Sequence, residues 1–514
     1  RRLPVELLWA LFGKFEDDRS VPAPLLVALK VASKGNKLEE CRALASVAAF
    51  LRGLLTFDAM TGHDPIQNQY SSSYLSAAAQ WEAEAHGILR DVILAPFVTP
   101  PYTLQTCGSC SLADSPLSEN SVELPVRISF AGGWTDTPPY CLEKGGTLCH
   151  MSVTVDSQLP VRATSQLLPT AELRFVSDDL EATLTVTSLE ELRSHSNPGG
   201  DKFALHKAVV SFFFSDWLRL PAISDLASLL KATCGSGRGL ELRTSVRLPK
   251  GSGLGTSSVL LLACLRSLRN LFNPAAQQID KEYERTYIED GCDVLDCSPD
   301  IDDEHNAVLA IEQLITTGGG WNDQVGGGWD GLRLTVTKPG LRPHYVMKRL
   351  RLTKRHVEVF NEKLLVVYTG TQRLAKTILL RVVQNWMLRV ASTGETLAEL
   401  EVLARRFFVL LQRFASQPPD ADNEAVFKEL GDLLTLIREG NIRLERTWTN
   451  EHVDSLFNGL DEYVTGSYLV GAGSGGFVVG FLKPLKAKED VARFLRESFP
   501  MCEVSDIALH STCV

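Results

Sequence analysis

The sequence predicts an α+β fold of two domains, preceded by a mainly helical N-terminal region. The first observation is the helical spacing of apolar residues near the start, at Leu7, Leu8, Leu11, Phe12 and Phe15. The second is an alternation further on, where Val126, Ile128 and Phe130 are separated by Arg127 and Ser129. Such alternation predicts a strand with Arg127 on the face opposite the apolar residues. Helical and strand patterns then follow in mixed order, which indicates the α+β class.

Changes in composition predict four segments along the chain. Residues 1–96 carry the helical spacing, and residues 97–118 are rich in Pro, Thr, Ser, Cys and Gly without periodicity, which is typical of a linker. We expect a first domain at 119–338 and a second at 339–514. The acidic segment 280–304 is predicted to be a solvated surface insertion, with a carboxylate metal site as the weaker alternative.

The remaining elements follow from local patterns. Alternating or short apolar runs predict strands around 149–155, 173–177, 183–187, 332–336 and 364–368. Helical spacing predicts helices around 202–217, 257–271 and 305–315, and long helices between about 375 and 444. A strand, a loop, a strand and a helix complete the chain.

Bulk composition favours small-molecule partners. The chain has 514 residues, of which 44% are hydrophobic and 22% charged, and its formal net charge is −10. This charge provides no basic field for nucleic-acid phosphates, and no apolar run reaches the ~20 residues needed to cross a bilayer. The sequence therefore predicts neither a nucleic-acid nor a membrane partner, and it leaves a homo-oligomer open.

The cysteines predict a cytosolic protein with reduced thiols. Only Cys107 and Cys110, among eleven cysteines, form a C-x-x-C pair, and the second pair of a structural zinc site is missing. The first residue is Arg1 and not methionine, which predicts a longer native chain with an additional N-terminal region.

A glycine-rich loop at 248–258 predicts an anion site. It leads directly into the helix-compatible run 259–263, so backbone amides and a helix N-terminus would converge on a phosphate group. The candidate phosphate-binding residues are Gly251, Ser252, Gly253, Leu254, Gly255, Thr256, Ser257 and Ser258. The hydroxyls of Thr256, Ser257 and Ser258 would cap the helix or reach a Mg²⁺ ion, and a plain glycine turn with a serine cap is the alternative.

Three segments together resemble a known family. Pro125–Tyr140, Pro249–Ser258 and Val470–Phe477 are similar, in family order, to the first, second and third motifs of the GHMP sugar kinases. Within that superfamily, Gly133–Asp136 and Gly319–Gly327 are similar to the kinase portion of animal-type L-fucokinases. The resemblance implies a two-domain kinase fold with a deep cleft between the domains. It also implies ATP and Mg²⁺ as cofactors, and L-fucose as the substrate that becomes L-fucose 1-phosphate in sugar salvage.

The resemblance assigns the catalytic and metal-binding roles. Asp323 matches the catalytic aspartate of galactokinase-like members and would accept the proton of the sugar hydroxyl, although a turn-forming aspartate is the alternative. Arg127 matches their basic residue beside the transferred phosphoryl group, and a surface arginine is the alternative interpretation. Glu312 matches a Mg²⁺ ligand of the mevalonate-kinase branch, and Ser257 would be the second ligand. The alternative is that Glu312 is a solvated glutamate on the surface of a helix.

The same resemblance assigns the sugar-binding residues. Asp136 corresponds to a hexose-hydroxyl ligand of galactokinases, and the other candidates are Gly133, Trp134, Thr135 and Gly473. Galactokinases carry a Glu-His pair where this chain has Gly133 and Trp134, and an apolar ring there suits a 6-deoxy sugar. Another hexose or heptose kinase, or a catalytically silent sensor of ATP and sugar, remains the alternative function.

Overall fold

The computed structural model describes residues 37–38, 40–45, 47–49, 68–98, 118–195, 200–248, 252–273, 285–315, 318–371 and 375–511. The chain divides into two compact units, 1–92 and 93–514. In the first unit the described residues between 37 and 49 are helical, and helix α1 (Asn68–Val98) begins there. Cys41 Sγ donates to the carbonyl of Ala85 at 3.0 Å within it. Most of the predicted linker 97–118, with Cys107 and Cys110, lies outside the described residues.

The second unit contains three sheets in its described part. The first consists of β1 (Glu119–Leu124), β4 (Val161–Leu168), β5 (Leu173–Ser177), β6 (Ala182–Val186) and β7 (Gly239–Val246), in the order β1-β4-β7-β5-β6. The second consists of β2 (Val126–Ala131), β3 (Gly146–Val155), β8 (Arg285–Glu289), β9 (Cys292–Asp296), β10 (Leu332–Thr337), β11 (Tyr345–Leu350) and β16 (Ile507–Leu509). Its order is β16-β3-β10-β11-β9-β8, and β2 also pairs with β3. The third consists of β12 (Leu364–Tyr368), β13 (Val464–Leu469), β14 (Phe477–Leu482) and β15 (Glu503–Val504), in the order β13-β14-β12-β15.

Helices join and cover these sheets. Between the strands of the first two sheets lie α2 (Tyr140–Lys144), α3 (Leu189–Arg193), α4 (Ala204–Phe213), α5 (Ser215–Leu218), α6 (Leu226–Cys234), α7 (Thr256–Phe272), α8 (Pro299–Leu314) and α9 (Asn322–Gly327). Later in the chain lie α10 (Lys354–Lys363), α11 (Ala375–Met387), α12 (Ala391–Ser416), α13 (Glu424–Leu444), α14 (Glu451–Leu460) and α15 (Lys488–Ser498). Helix α7 packs on β4 and β1, α12 packs on β3, and α13 packs on β13. The predicted α+β class is confirmed.

A cluster of phenylalanines fixes β2 in the core. Phe130 of β2 stacks on Phe407 of α12, with the ring centroids 5.0 Å apart, and lies 6.1 Å from Phe481 of β14. All three side chains are fully buried or nearly so. Burying each such ring stabilises the fold by roughly 1.5–3 kcal/mol, so the cluster holds the strand that carries Arg127.

The strand predictions are confirmed, and several other elements differ from the sequence patterns. The predicted strands around 126–130, 149–155, 173–177, 183–187, 332–336 and 364–368 correspond to β2, β3, β5, β6, β10 and β12. The helix predicted at 202–217 is interrupted at Phe214, where α4 ends and α5 begins. Helix α8 begins before the predicted residue 305, because the Ser298 side chain caps it and Pro299 occupies its first position.

The acidic segment and the interdomain boundary also differ in structure from their predictions. Residues 285–296, inside the predicted insertion 280–304, form the antiparallel pair β8–β9, and β9 pairs with β11. Cys292, Val294 and Leu295 are buried, so this part of the segment is built into the sheet. The boundary predicted at residue 338 falls in the turn between β10 and β11, which pair with each other.

The described cysteines are buried free thiols, namely Cys41, Cys141, Cys149, Cys234, Cys264, Cys292, Cys297 and Cys502. Among the helices that the structure describes, none combines the length and the apolar character that a membrane span requires.

Candidate active site

One cavity of about 550 Å³ collects most of the residues predicted for chemistry. Strand β2, the turn after it, the start of α7, the end of α8 and the start of α9 all contribute to its wall. The predicted site residues that line it are Arg127, Gly133, Trp134, Asp136, Ser257, Ser258, Glu312 and Asp323. These residues are separated by up to 196 positions in the sequence, so only the tertiary fold brings them together.

Arg127 and Asp323 form an ion pair in this cavity. The guanidinium Nε of Arg127 donates to Oδ1 of Asp323 at 3.0 Å, and its Nη1 donates to the carbonyl of Gly253 at 2.7 Å. The Arg127 side chain is 3% exposed, whereas that of Asp323 is 26% exposed. Arg127 lies on the face of β2 opposite Val126, Ile128 and Phe130, as the alternation predicts, and every residue of the strand is buried, so the alternative of a surface arginine is wrong. Asp323 lies in the first turn of helix α9 and not in a loop turn.

The glycine loop packs directly against Asp323. Gly255 precedes α7 and has a φ of +77°, and a Cβ there would lie 2.7 Å from Cγ of Asp323. No side chain caps α7, whose N-cap is Gly255, so the predicted serine cap is not formed. Leu254 accepts a backbone hydrogen bond from Arg127, and Ser252 lies 3.2 Å from Thr256 between their hydroxyl oxygens. Gly251 lies outside the described residues.

Glu312 lies near the end of α8 and is buried against the start of α7. Ser258 Oγ donates to its Oε1 at 2.8 Å, and Ser257 also bonds to this carboxylate. Burial, reinforced by the charge of Asp323, raises the pKa of Glu312 to about 7 despite these hydroxyls. Glu312 and Ser257, which were predicted as metal ligands, thus lie in contact, and their role as ligands stays a prediction.

These donors fit a Mg²⁺ ion. A carboxylate and a hydroxyl are oxygen ligands of the kind that Mg²⁺ prefers, and a cation would offset the cost of burying the Glu312 charge. The described residues contain no group of three or more His, Cys, Asp or Glu side chains arranged for a metal. Mg²⁺ in phosphate-binding sites usually keeps several waters and phosphate oxygens beside one or two protein ligands, so Glu312 and Ser257 would suffice as the protein's share.

Asp136 lies beside the start of α9. Its Oδ2 accepts from the backbone N–H of Asn322 at 3.3 Å, and the chain passes so closely that Gly320 has no room for a Cβ. Burial, followed by the charge of Asp323, raises the pKa of Asp136 to about 6. A carboxylate in this position would accept hydrogen bonds from the hydroxyl groups of a sugar.

The other predicted sugar-binding residues divide into two groups. Gly133 and Trp134 line the cavity. Thr135 is fully buried and its hydroxyl donates to the carbonyl of Gly132 at 2.7 Å, so it supports the turn. Gly473 packs against Trp448, whereas its neighbours Gly471 and Ala472 line the cavity.

Several cavity residues were not predicted from the sequence. Asn322 accepts from Ser129 Oγ at 2.7 Å and contacts His150 Nδ1 at 3.3 Å, so a buried polar network supports the residue next to Asp323. The sequence feature that could have identified Asn322 is its position next to Asp323. Lys202 and Tyr468 also line the cavity, and neither belongs to a motif that would have identified it.

Comparisons with known proteins agree with this arrangement. Residues 222–293, which include β7, the glycine loop and α7, match the family model described as the GHMP kinases N terminal domain. The bifunctional fucokinase/GDP-fucose pyrophosphorylase of Arabidopsis thaliana is 29% identical over 380 residues, which are 73% of this chain and 31% of that protein. The L-fucokinase/L-fucose-1-P guanylyltransferase of Bacteroides fragilis is 30% identical over 379 residues, which are 73% of this chain and 36% of that protein. The chain thus spans about a third of the length of these relatives.

Solved structures share the fold. The mevalonate kinase of Methanococcus jannaschii superposes with a TM-score of 0.50 at 15% identity, covering 77% of this chain and 99% of its own. The galactokinase of Lactococcus lactis in complex with galactose superposes with a TM-score of 0.50 at 14% identity, and the match covers 78% of this chain and 96% of the galactokinase. At these identities the likeness concerns the fold alone. Residues 222–293 thus resemble the N-terminal domain of GHMP kinases, the chain is similar in sequence to two bifunctional fucokinases, and it shares the fold of mevalonate kinase and galactokinase.

Proposed function

We propose that the protein transfers the γ-phosphoryl group of ATP to the anomeric hydroxyl of L-fucose, giving L-fucose 1-phosphate and ADP. The observation that carries this proposal is the ion pair of Arg127 and Asp323, which lies between the glycine loop and Asp136 in one cavity. The loop side would hold phosphate, and the Asp136 side would hold the sugar.

The geometry supports a direct transfer. The anomeric oxygen would attack the γ-phosphorus and its proton would pass to Asp323, while the bond from the γ-phosphorus to the β,γ-bridging oxygen breaks and ADP leaves. Arg127 lies close enough to Asp323 to stabilise negative charge on the transferred group. Bound Mg²⁺ would neutralise phosphate charge, held by Glu312 and Ser257.

The choice of L-fucose rests on two supports. Both relatives are named as fucokinases, and this chain aligns with them over 73% of its length. Trp134 adds an apolar ring to the cavity wall, which suits the methyl group of a 6-deoxy sugar. We propose only the kinase activity for this chain, and the buried free thiols support the cytosol as its compartment.

An ATP-coupled turnover panel tests the proposal. L-Fucose, galactose, mannose and heptose derivatives are compared at equal concentration, with and without Mg²⁺, and the product is located by phosphorus NMR. We expect L-fucose 1-phosphate and the highest kcat/KM for L-fucose. A product phosphorylated at another carbon, or faster turnover of galactose, contradicts the proposal, and no turnover at all favours a sensor.

A further inference from the structure

The backbone at Trp134 occupies a conformation that side-chain-bearing residues rarely adopt. Its φ is +76°, in the left-handed region, and Gly132, two residues before it, has a φ of +87°. The turn is closed by backbone hydrogen bonds from Thr135 to Gly132 and from Thr137 to Trp134, both 3.1 Å long. Backbone strain of this kind persists only where the surrounding structure enforces it, and it is concentrated at functional sites.

The indole of Trp134 is fixed by a residue 307 positions away in the sequence. Its Nε1–H donates to Oδ1 of Asn441 at 2.7 Å, and Nδ2 of Asn441 donates to the carbonyl of Ile437 at 2.8 Å. An indole nitrogen can only donate and a carbonyl can only accept, so these two bonds define the orientation of the Asn441 amide.

Asn441 is a polar residue on the buried, largely apolar face of its helix. It is 2% exposed on α13, whose buried face includes Leu434, Ile437 and Leu444. A buried amide costs stability unless its polar atoms are bonded, and asparagine is a poor helix former. Asn441 does not line the cavity, so its contact with Trp134 is what accounts for an amide at this position.

We infer that Asn441 is a positioning residue, which fixes the Trp134 ring in the cavity wall and so sets the preference for a 6-deoxy sugar. This inference rests on the proposed function. The indole has a single polar atom, and Asn441 holds that atom, so Trp134 offers the sugar only carbon. A methyl group loses no hydrogen bond when it packs against such a wall, whereas a 6-hydroxyl group would be left without a hydrogen-bond partner.

The test compares L-fucose with L-galactose, its 6-hydroxy counterpart, in three variants. Asn441→Leu removes the acceptor and frees the indole N–H to turn toward a 6-hydroxyl, so the kcat/KM ratio of L-fucose to L-galactose should fall about tenfold. Asn441→Asp, in its protonated form, accepts from the indole and donates to Ile437, so it should keep most of the preference. Asn423→Leu is the matched control, because Asn423 is also buried, lies at the start of α13 and bonds only backbone carbonyls.

A second measurement reports on the ring without any sugar. The protein is labelled with 5-fluorotryptophan, and the fluorine resonance of Trp134, one of eight tryptophans, is assigned by its loss in Trp134→Phe. We expect this resonance to shift or broaden in Asn441→Leu and to stay unchanged in Asn423→Leu. If Asn441→Leu does not fold, Asn441→Ala, which also removes the acceptor of the indole N–H, takes its place in both measurements, with Asn423→Ala as its control.

The outcomes separate this inference from the proposed function. A wild-type protein that does not prefer L-fucose refutes the proposed function, and the Trp134 resonance in Asn441→Leu still decides whether Asn441 positions the ring. If the wild type prefers L-fucose and folded Asn441→Leu keeps both the ratio within twofold and the resonance, the inference is wrong while the function stands. A ratio that falls equally in Asn423→Leu likewise overturns it, because that result indicates general loosening of α13.

Discussion

At the scale of single residues, the cavity concentrates negative charge that burial makes costly. Asp136, Glu312 and Asp323 all line it, and Asp323 contributes to the raised pKa of the other two. Arg127 is the cation that contacts Asp323. Such an arrangement is expected where a metal cation completes the site and offsets the carboxylate charge.

We expect Asp323→Asn to abolish most turnover while leaving binding nearly intact. The amide keeps the size and one acceptor oxygen of Asp323 but loses the basicity that a proton acceptor needs, which typically costs about 10²–10⁴ in rate. The dissociation constants for ATP and sugar should change far less than kcat. Single-turnover kinetics and calorimetric titration measure both quantities.

The control for this substitution is Asp178→Asn, which removes the carboxylate from an Asp–Arg pair outside the cavity. Asp178 contacts Arg243 at 2.8 Å, and both side chains are about half exposed. Turnover within a few-fold of the wild type in folded Asp323→Asn would remove this residue from the mechanism and leave charge stabilisation by Arg127.

Glu312→Gln should uncouple Mg²⁺ binding from pH. The pKa of Glu312 is raised to about 7, so protons compete with Mg²⁺ as the pH falls below that value, and wild-type affinity should weaken there. The amide cannot be protonated in this range, so the variant should bind Mg²⁺ weakly and without this pH dependence. Mg²⁺ titrations of activity at pH 6 and pH 8 measure the effect.

The same pKa shift predicts a gain in stability for this variant. Because the folded pKa of Glu312 lies above its unfolded value of 4.5, the folded state binds more protons between these values, and the free energy of unfolding falls as pH rises from 4.5 to about 7. Without Mg²⁺, Glu312→Gln should therefore be more stable than the wild type at pH 8 by about 1–3 kcal/mol. Glu395→Gln, at an exposed position of α12, is the control, and equal stability of Glu312→Gln and wild type contradicts the cause.

At the scale of elements, the loop before α7 and the short helix α9 form one unit. Gly255 and Asp323 are in van der Waals contact, and Arg127 of β2 bonds to both the loop and α9. Glycine is required at position 255 for two reasons, namely the left-handed φ and the lack of space for a side chain. The loop therefore positions the candidate base, in addition to its proposed role of holding a phosphate group.

We expect Gly255→Ala to lower turnover by at least 100-fold, because its methyl group would displace Asp323. A Cβ would lie 2.7 Å from Cγ and 2.8 Å from Cβ of that aspartate. Gly237→Ala is a matched control, since Gly237 has a φ of +75° but no atom within 4 Å of the added methyl. Both variants should lose about 1 kcal/mol of stability for the backbone conformation, and only Gly255→Ala should lose activity. Equal activity in the two variants would show that the packing against Asp323 is unimportant.

At the scale of the whole molecule, the described cavity residues all belong to the unit 93–514. We expect a truncated protein that begins at Ser118 to keep its turnover of L-fucose, because every candidate catalytic residue follows this position. Activity per folded molecule, measured beside the melting temperature, tests this expectation. A truncated protein that binds both substrates but does not turn over would show that the earlier residues contribute to chemistry.

The sequence by itself determined the resemblance to GHMP kinases, the fold class and most residues of the candidate site. Three glycine-containing motifs and a few strand patterns were sufficient, because close backbone approach to phosphate and alternate burial in a sheet both require residue types that are visible locally. Edge strands such as β1 and β8 were missed, because polar faces leave no such alternation. Ser298 as a helix cap was available in the sequence and was not used.

Only the tertiary structure decided how distant residues act on one another. It buried Arg127 on a strand covered on both sides, built the acidic segment into a sheet, and placed Asn441 against Trp134. Local patterns carry no information on these contacts, since they join residues that are far apart in sequence and depend on how helices such as α12 and α13 pack on the sheets. The pKa of a carboxylate such as Glu312 likewise depends on burial and on neighbouring charge, which exist only in the folded chain.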